Sequence, residues 1–259
     1  GPGRGQGADR GRRRKRGWGM SFPDETRLMQ ALEATWPPAS SDAEAVRGWR
    51  LRDGAGGGKR VSAAVSTGSD DVEALAAAMR ARGEVPLVQV PGSAAALDAK
   101  LAAAGWEVVD PTVLMVGEAE ALAKLELGKH VRAVPVGVRL ALLNEIWTAG
   151  GIGPERRAVM ARCQGPHTQI MVRSDDRVTG VAHVAVDGDV AMLHAVEVRS
   201  SHRRQGAGRG ALAGAARFAL DHGAAWVALA VTEANAPARA LYDGAGMETV
   251  ARYHYRQAK

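Results

Sequence analysis

The sequence predicts a mixed α+β fold (mixed α/β), because short apolar strands alternate with alanine-rich helices along the middle and the end of the chain. The composition agrees: 46% of the 259 residues are hydrophobic and 24% are charged, which is typical of neither a disordered nor a membrane-embedded chain. No uncharged apolar run approaches the roughly 20 residues that a membrane helix needs. We therefore expect a soluble, cytoplasmic protein without a membrane partner.

The net charge of +6 is confined to the first 19 residues, which hold seven basic side chains and one acidic one. The other 240 residues carry 27 basic and 27 acidic groups, so the folded body is not expected to bind nucleic acid. Residues 1–19 have no apolar stretch and cannot be a secretory signal. We predict a disordered basic head. The alternatives are an arm that touches RNA, a ribosome or lipid headgroups, or residues added before a natural start at Met20.

Two stretches of the chain share one pattern. Residues 82–115 and 222–255 both run from a glycine-terminated helix through a strand, a loop and a second helix into another strand. The second helix ends at Gly105-Trp106 in one stretch and at Gly246-Met247 in the other. Glycine closes helices because it adopts the left-handed conformation at little cost. We predict a duplicated unit with a joint near residues 116–134; a chance likeness between alanine-rich passages is the alternative.

The first half offers no convincing site. Residues 54–58 (GAGGG) followed by Lys59 superficially suggest a phosphate loop, but Asp53 stands where the first glycine belongs. Arg60 likewise replaces the Ser or Thr that would hold magnesium. The pattern predicts a flexible turn there.

The second half contains a turn that can hold an anion. An Asp187-Gly188-Asp189 turn, which is a hairpin signal, precedes a strand over about 190–198, and a helix is predicted over about 209–221. The connection between them is Arg203-Arg204-Gln205-Gly206-Ala207-Gly208. The amides of a helix's first turn attract anions, and glycine allows phosphate oxygens to approach closely. Arg203, Arg204 and Arg209 add positive charge. In the first half, Asp70, Asp71 and Glu73 lie at the start of the matching helix and would repel phosphate. A plain strand–helix connection is the alternative.

These residues resemble a known family. Val198-x4-Arg203-x2-Gly206-x-Gly208 is similar to the acyl-CoA signature of the GNAT superfamily of N-acyltransferases. Asn235-x2-Ala238-x2-Leu241-Tyr242, followed by Gly246-Met247, is similar to the second hallmark of that family. The resemblance covers about residues 130–259.

The resemblance implies a bent mixed sheet flanked by helices, with acetyl-CoA as the co-substrate. Pantetheine would lie between the strand ending at Val198 and the strand over 226–231. The diphosphate would rest on the amides of residues 204–209, namely Arg204, Gln205, Gly206, Ala207, Gly208 and Arg209. Residues 20–125 resemble the degenerate half of a tandem GNAT protein, since Leu101 stands at the tyrosine position. Such a half would pack on the GNAT domain, residues 130–259, and shape the acceptor pocket.

The resemblance also assigns catalytic roles for acetyl transfer to a primary amine by direct attack on the thioester. Backbone N–H groups near Val196 and Val198 would polarise the carbonyl. Tyr242 would protonate the leaving thiolate, unless it merely packs. His194 is the first candidate base, by similarity to the arylalkylamine N-acetyltransferases, although Met192 stands where those enzymes have a second histidine. Glu197 is the rival, and strand alternation predicts that it faces away from His194, Val196 and Val198.

The remaining expectations concern single residues, metals and the acceptor. Asn235 is expected to bond pantetheine or to cap the helix that begins near Ala236-Pro237. The strand Tyr253–Arg256 either borders the acceptor site or is simply exposed. Cys163, the only cysteine, is expected to be a small buried residue rather than a catalytic thiol. No His, Cys or Asp cluster has metal-ligand spacing, so no metal is expected. The expected acceptor is a small-molecule or peptide amine. Its identity and the oligomeric state of the protein are not predicted. The alternative function is a non-catalytic acyl-CoA sensor.

Overall fold

The computed structural model describes residues 20–68 and 71–259. The predicted basic head, residues 1–19, lies outside the described residues. The helices are α1 (Glu25–Thr35), α2 (Lys59–Ser62), α3 (Val72–Ala81), α4 (Ala95–Ala103), α5 (Ala119–Ala123), α6 (Ala141–Ala149), α7 (Pro154–Ala161), α8 (Ala207–Asp221) and α9 (Ala236–Gly244). The strands are β1 (Ser40–Val46), β2 (Trp49–Asp53), β3 (Val65–Ser66), β4 (Leu87–Pro91), β5 (Glu107–Glu118), β6 (Val131–Val136), β7 (His167–Ser174), β8 (Arg177–Asp187), β9 (Val190–Val198), β10 (Trp226–Thr232) and β11 (Glu248–Gln257).

One mixed sheet of eight strands organises the molecule, in the order β4-β11-β5-β10-β9-β8-β7-β6. A small three-stranded sheet, β1-β2-β3, lies beside it. Every pairing in the large sheet is antiparallel except β9 with β10, which run parallel. The predicted mixed α+β fold with a sheet flanked by helices is confirmed.

The two similar stretches interleave at one end of this sheet. Strand β4 pairs with β11, β10 pairs with β5, and β5 pairs with β11. Gly105 and Gly246 are separated by 141 positions, and so are Thr112 and Tyr253, which pair with each other. The flanking pairs Tyr253–Pro91 and Thr112–Thr232 are related by the same offset. The two β–α–β units therefore share one register about a local two-fold relation.

Helices cover both faces of the sheet. Helix α8 packs across β6 to β9, and its small residues allow a close approach: a Cβ on Gly214 would lie 2.8 Å from Ile170 Cγ2. Helices α1 and α6 cover the opposite face of β8 and β9. Arg27 of α1 joins the two layers by binding Asp187 at 2.7 Å and Asp189 at 3.0 Å, on either side of the β8–β9 turn.

Several local predictions in both halves of the chain are confirmed. Strand β9 spans the predicted residues, Gly188 turns the hairpin with φ of 56°, and α8 begins two residues earlier than expected. Gly105 and Gly246 close their helices with φ of 82° and 90°. The glycine run at residues 54–58 is a turn, as predicted, and leads into α2.

Candidate active site

The parallel pair β9 and β10 separates part-way along its length. Register holds at Trp226–Val190, Val227–Ala191 and Ala228–Met192, and no pair follows. Strand β9 continues to Val198 and β10 to Thr232, so the last residues of both strands border an opening in the sheet. An extended ligand could lie there against unpaired strand edges.

A β-bulge at Ala195 shapes one side of the opening. Ala195 has φ of 52°, and the register with β8 shifts between His183–His194 and Val181–Glu197. One residue is thereby added to β9 relative to β8, which changes the face on which the following side chains lie. The indole Nε1 of Trp147 in α6 donates to the Ala195 carbonyl at 2.8 Å and fixes the bulge.

This bulge corrects the predicted faces. The residues opposite His194 and Glu197, His183 and Val181, are two apart on β8 and therefore share a face. Val196 and Val198 pack instead with the core under α8. The expectation that Glu197 faces away from His194 was wrong, because simple alternation does not account for an inserted residue. Both acid–base candidates lie on the face covered by α1 and α6.

His194 lies in a closed environment. It is buried, stacks on Trp36 with ring centroids 4.9 Å apart, and places Nε2 2.8 Å from Thr35 Oγ1. Because the Thr35 hydroxyl donates to the Ala31 carbonyl at 2.7 Å, it accepts from His194 Nε2–H. His194 Nδ1 then accepts from Arg60 at 3.4 Å. Burial, with Arg60 and His183 nearby, holds the pKa of His194 well below its ordinary value.

Glu197 and Tyr242, two of the predicted site residues, influence each other electrostatically. Burial raises the pKa of the Glu197 carboxyl, while Arg203 and Arg156 oppose that shift. Burial, and secondly the charge of Glu197, raise the pKa of Tyr242 to about 12. The Glu197 carboxylate packs against Gly150 at the end of α6, where a Cβ would collide with it. Tyr242 itself is buried in α9.

The N-terminus of α8 is open. Gly206 is its N-cap residue with φ of 89°, and no side chain of the described residues caps the helix. Arg204 also adopts a left-handed conformation, with φ of 59°. Residues 203–206 are exposed, and the first-turn amides of a helix have no intrahelical acceptor. This arrangement presents several N–H groups and the positive helix end to solvent.

The side chains around this turn have separate tasks. Gln205 Nε2 approaches the Ser201 carbonyl at 3.4 Å, and Arg209 donates to the Glu126 carbonyl at 3.0 Å. Arg209 therefore braces the helix against the preceding segment in addition to adding charge. Ala207 is buried, and a Cβ on Gly208 would lie 2.7 Å from Leu241 Cδ2. Gly208 thus lets α8 pack against α9, a reason that the sequence alone did not reveal.

Asn235 caps α9. Its Oδ1 accepts from the Ala238 amide at 3.2 Å, and a proline occupies the first turn. The capping interpretation is confirmed, and contact with pantetheine stays a prediction.

The comparisons with known proteins agree with this geometry. Residues 141–247 match the model of the acetyltransferase (GNAT) family. A search of curated proteins found no match. A GCN5-related N-acetyltransferase from Kribbella flavida is similar in structure, with a TM-score of 0.66 at 20% identity over 90% of this chain and 93% of that one.

Two further solved structures share the fold. A tandem GNAT protein from the clavulanic acid biosynthesis pathway has a TM-score of 0.60 at 14% identity over 90% of this chain and 87% of that one. A functionally unknown conserved protein from Staphylococcus epidermidis has a TM-score of 0.59 at 12% identity, covering 78% and 86%. The family model covers residues 141–247, and the three solved structures are similar in fold over most of the chain.

Residues from both halves of the chain line a cavity of about 360 Å³ beside the opening between β9 and β10. Ala195 and Thr232 line it from the two separating strands. From the first half, the cavity is lined by the glycine turn before α2, by Arg60 in α2 and by Trp36, which directly follows α1. Tyr253 and Tyr255 are buried and line the cavity too, so they border this space rather than the surface.

Sequence reasoning missed several of these residues. Trp147, Gly150 and Arg156 come from α6, α7 and their junction, where the chain shows no motif. Arg60 was noticed only as a mismatch to a phosphate loop. A basic residue directly after a glycine run was the available signal that this turn could line a pocket.

Other expectations concern metals, membranes and the cysteine. Within residues 20–68 and 71–259, no group of three or more His, Cys, Asp or Glu is arranged to hold a metal ion. In the same part of the chain, no helix has the length and apolar character to cross a membrane. Cys163 is buried, and burial raises the pKa of its thiol. A raised pKa disfavours the thiolate that a nucleophile needs.

Proposed function

We propose that this protein transfers the acetyl group of acetyl-CoA to a primary amine by direct attack of the amine on the thioester. The observation that carries the proposal is the opening between β9 and β10 beside the uncapped N-terminus of α8. GNAT acetyltransferases use acyl-CoA, and both features fit its two ends: an extended pantetheine arm and a diphosphate.

The coenzyme's diphosphate is proposed to bind at the amides of residues 204–209. The left-handed backbone at Arg204 and Gly206 turns consecutive amides toward solvent at the helix end. Arg203 and Arg204 add charge that strengthens hydrogen bonding to phosphate. Pantetheine then extends along the free edge of β9 toward the bulge.

The thioester carbonyl is proposed to meet strand amides beyond the bulge. Arg199 N donates to the Thr179 carbonyl, toward β8. Because N–H directions alternate along a strand, the amides of Val198 and Val196 point toward the opening. A donor at this position stabilises the developing oxyanion by roughly 3–4 kcal/mol in other enzymes.

Glu197 is proposed as the general base in place of His194. Both ring nitrogens of His194 are engaged, and its low pKa makes it a poor proton acceptor. Glu197 is half-buried with a raised pKa, which brings a carboxylate closer to the basicity that an ammonium group demands of a base.

The proposed steps account for each proton and for each bond formed or broken. Glu197 takes one proton from the ammonium group and releases it to solvent, and the neutral nitrogen attacks the carbonyl carbon to give a tetrahedral intermediate. Glu197 then takes a second proton from the nitrogen of that intermediate. Collapse of that intermediate breaks the carbon–sulfur bond. Tyr242 gives its proton to the thiolate and takes one back from Glu197. The charge of Glu197 already raises the pKa of Tyr242. The products are the N-acetylated amine and free CoA.

The first half is proposed to be a GNAT-like unit without its own coenzyme site. The shared register about Thr112 and Tyr253 supports duplication. Its α3 lacks the open turn, and buried Leu101 replaces Tyr242. Residues 20–125 and 130–259 are proposed as the two units, with the first supplying one wall of the acceptor cavity.

The test is release of free thiol from acetyl-CoA across a panel of amines, with pH profiles of kcat/KM. Activity should fall as pH falls through the raised pKa of Glu197, since the base must be ionised. Glu197→Gln should remove that acidic limb, whereas His194→Gln should keep it. Retention of CoA with no thiol release for any amine would contradict the proposal and indicate a non-catalytic acyl-CoA-binding module.

A further inference from the structure

A charged side chain in the acceptor cavity has no acidic partner. Arg60 is half-buried and lines the cavity beside Ala195 and Thr232. Its Nη1 lies 3.4 Å from His194 Nδ1, and the side chains of Tyr253 and Tyr255 line the same cavity. Among the described residues, no carboxylate forms an ion pair with it.

The partners of Arg60 leave its charge uncompensated. His194 is neutral, because its pKa lies well below the ordinary value. Burial raises the pKa of Tyr255 well above its ordinary value, so that hydroxyl also stays neutral. A partly desolvated guanidinium held only by neutral acceptors attracts an anion strongly, since the low local polarity strengthens the attraction.

The other charges of the cavity do not neutralise Arg60. Lys59 and Asp110 pair with each other at 3.0 Å. Arg156 adds a second positive group, and its charge partly opposes the rise that burial causes in the pKa of Glu197. The cavity therefore carries net positive charge.

From this arrangement we infer that the acceptor is an amine that also carries a carboxylate, which Arg60 binds while the amine faces the opening between β9 and β10. This inference rests on the proposed acetyl transfer. A guanidinium accepts a carboxylate in a two-pronged hydrogen bond, and the volume of about 360 Å³ suits a molecule the size of an amino acid. Trp36, Tyr253 and Ile152 supply apolar surface for its side chain.

The test compares matched acceptors that differ in the carboxylate alone. Phenylalanine against phenethylamine and glycine against glycinamide are two such pairs, and phosphoethanolamine represents a phosphate-bearing amine. We expect kcat/KM at least about 30-fold higher for the carboxylate member of at least one pair than for its neutral partner and for phosphoethanolamine. Equal rates within both pairs, or preference for phosphoethanolamine, would overturn the inference and leave the proposed acetyl transfer intact.

Two variants assign the preference to Arg60. Arg60→Met should raise KM for the carboxylate acceptor about 30-fold and leave the neutral amine and the Kd of CoA unchanged, while Arg60→Lys should restore part of the preference. Arg139→Met, in a separate cavity near α6, is the matched control and should change nothing. An equal loss for both members of a pair would contradict a carboxylate contact.

Direct binding keeps the inference testable if Arg60→Met does not fold or no acceptor turns over. Calorimetric titration of the CoA-loaded wild-type protein with phenylalanine and phenethylamine, and with glycine and glycinamide, measures recognition without chemistry. Binding confined to the carboxylate members without any transfer would support the inference and refute the proposed acetyl transfer. No binding of a carboxylate member would overturn the inference.

Discussion

The two halves of the chain contain β–α–β units that share one register in the sheet, yet only the second half has the features proposed for a coenzyme site. In the first half, α3 begins at Asp71, whose carboxylate accepts from the Ala74 amide at 2.9 Å. In the second, α8 begins at Gly206 with no capping side chain. Leu101 is fully buried in α4, whereas the corresponding α9 carries Tyr242.

The difference shows that a shared order of strands and helices does not by itself produce a coenzyme site. Both units place strands and helices in the same order, and their registers match. A carboxylate at the helix end supplies internally the negative charge that a phosphate would otherwise bring. Three local features therefore distinguish the second half from the first: an open helix end at α8, a glycine with positive φ as its N-cap residue, and a hydroxyl on α9.

The largest effect should follow from giving α8 the acidic cap of α3. Gly206→Asp places a carboxylate beside the proposed diphosphate site, and repulsion of about 4 kcal/mol at a separation near 4 Å should weaken CoA binding about 1,000-fold. Gly206→Asn is the matched control, since it has the same shape and tolerates positive φ without the charge. Calorimetry measures both, and equal losses in the two variants would refute an electrostatic role for the helix end.

Tyr242→Phe should lower kcat about 100-fold and change the Kd of CoA less than about threefold. Removal of a general acid slows the chemical step without altering coenzyme contacts. Leu101→Met at the corresponding position of the first half is the control and should leave kcat unchanged. Unchanged turnover in Tyr242→Phe would remove this difference between the units from the mechanism.

The free energy of unfolding should fall in acid, because His194 and His183 are buried where the two halves of the chain meet. His194 and His183 are neutral when folded, and burial lowers the pKa of His183 to about 3. The unfolded chain binds their protons below about pH 6.5, so stability falls as pH falls, by about 1.4 kcal/mol per pH unit for each histidine. His194→Gln should remove one such slope in denaturant titrations between pH 6 and 5, whereas exposed His222→Gln should not. A slope unaltered by His194→Gln would show that this histidine is protonated in the folded protein.

The smallest effect concerns the capped helix itself. Asp71→Ala should lower the free energy of unfolding by about 1 kcal/mol, because the α3 amides lose their acceptor. Asp71→Asn should retain most of that stability. Neither variant should change CoA affinity, and a gain or loss of binding would show that α3 takes part in the coenzyme site.

Local chemistry made much of the second half predictable. The hairpin at Gly188, the strand β9 and the open turn before α8 follow from residues adjacent in sequence, so their patterns were sufficient. The interleaving of β4 and β5 with β10 and β11 depends on pairings more than 100 positions apart, which no local pattern specifies.

The candidate site was predictable in its parts and not in its assembly. An inserted residue at Ala195 moves Glu197 to the face of His194, and a bulge has no clear signature in an apolar strand. The burial of His194 depends on Trp36 and Thr35, which arrive from the other half of the chain. Arg60 also comes from the other half of the chain, so its place in the cavity could not be predicted from neighbouring residues.

Amide chemical shifts during titration with CoA test the central claim most directly. If the open end of α8 binds the diphosphate, the largest perturbations should fall on the N–H groups of residues 204–209, with the amides of residues 72–75 at the start of α3 unchanged. Repeating the titration with pantetheine, which lacks the diphosphate, should leave both helix ends unperturbed. Saturable CoA binding that leaves the amides of residues 204–209 unshifted would contradict the account.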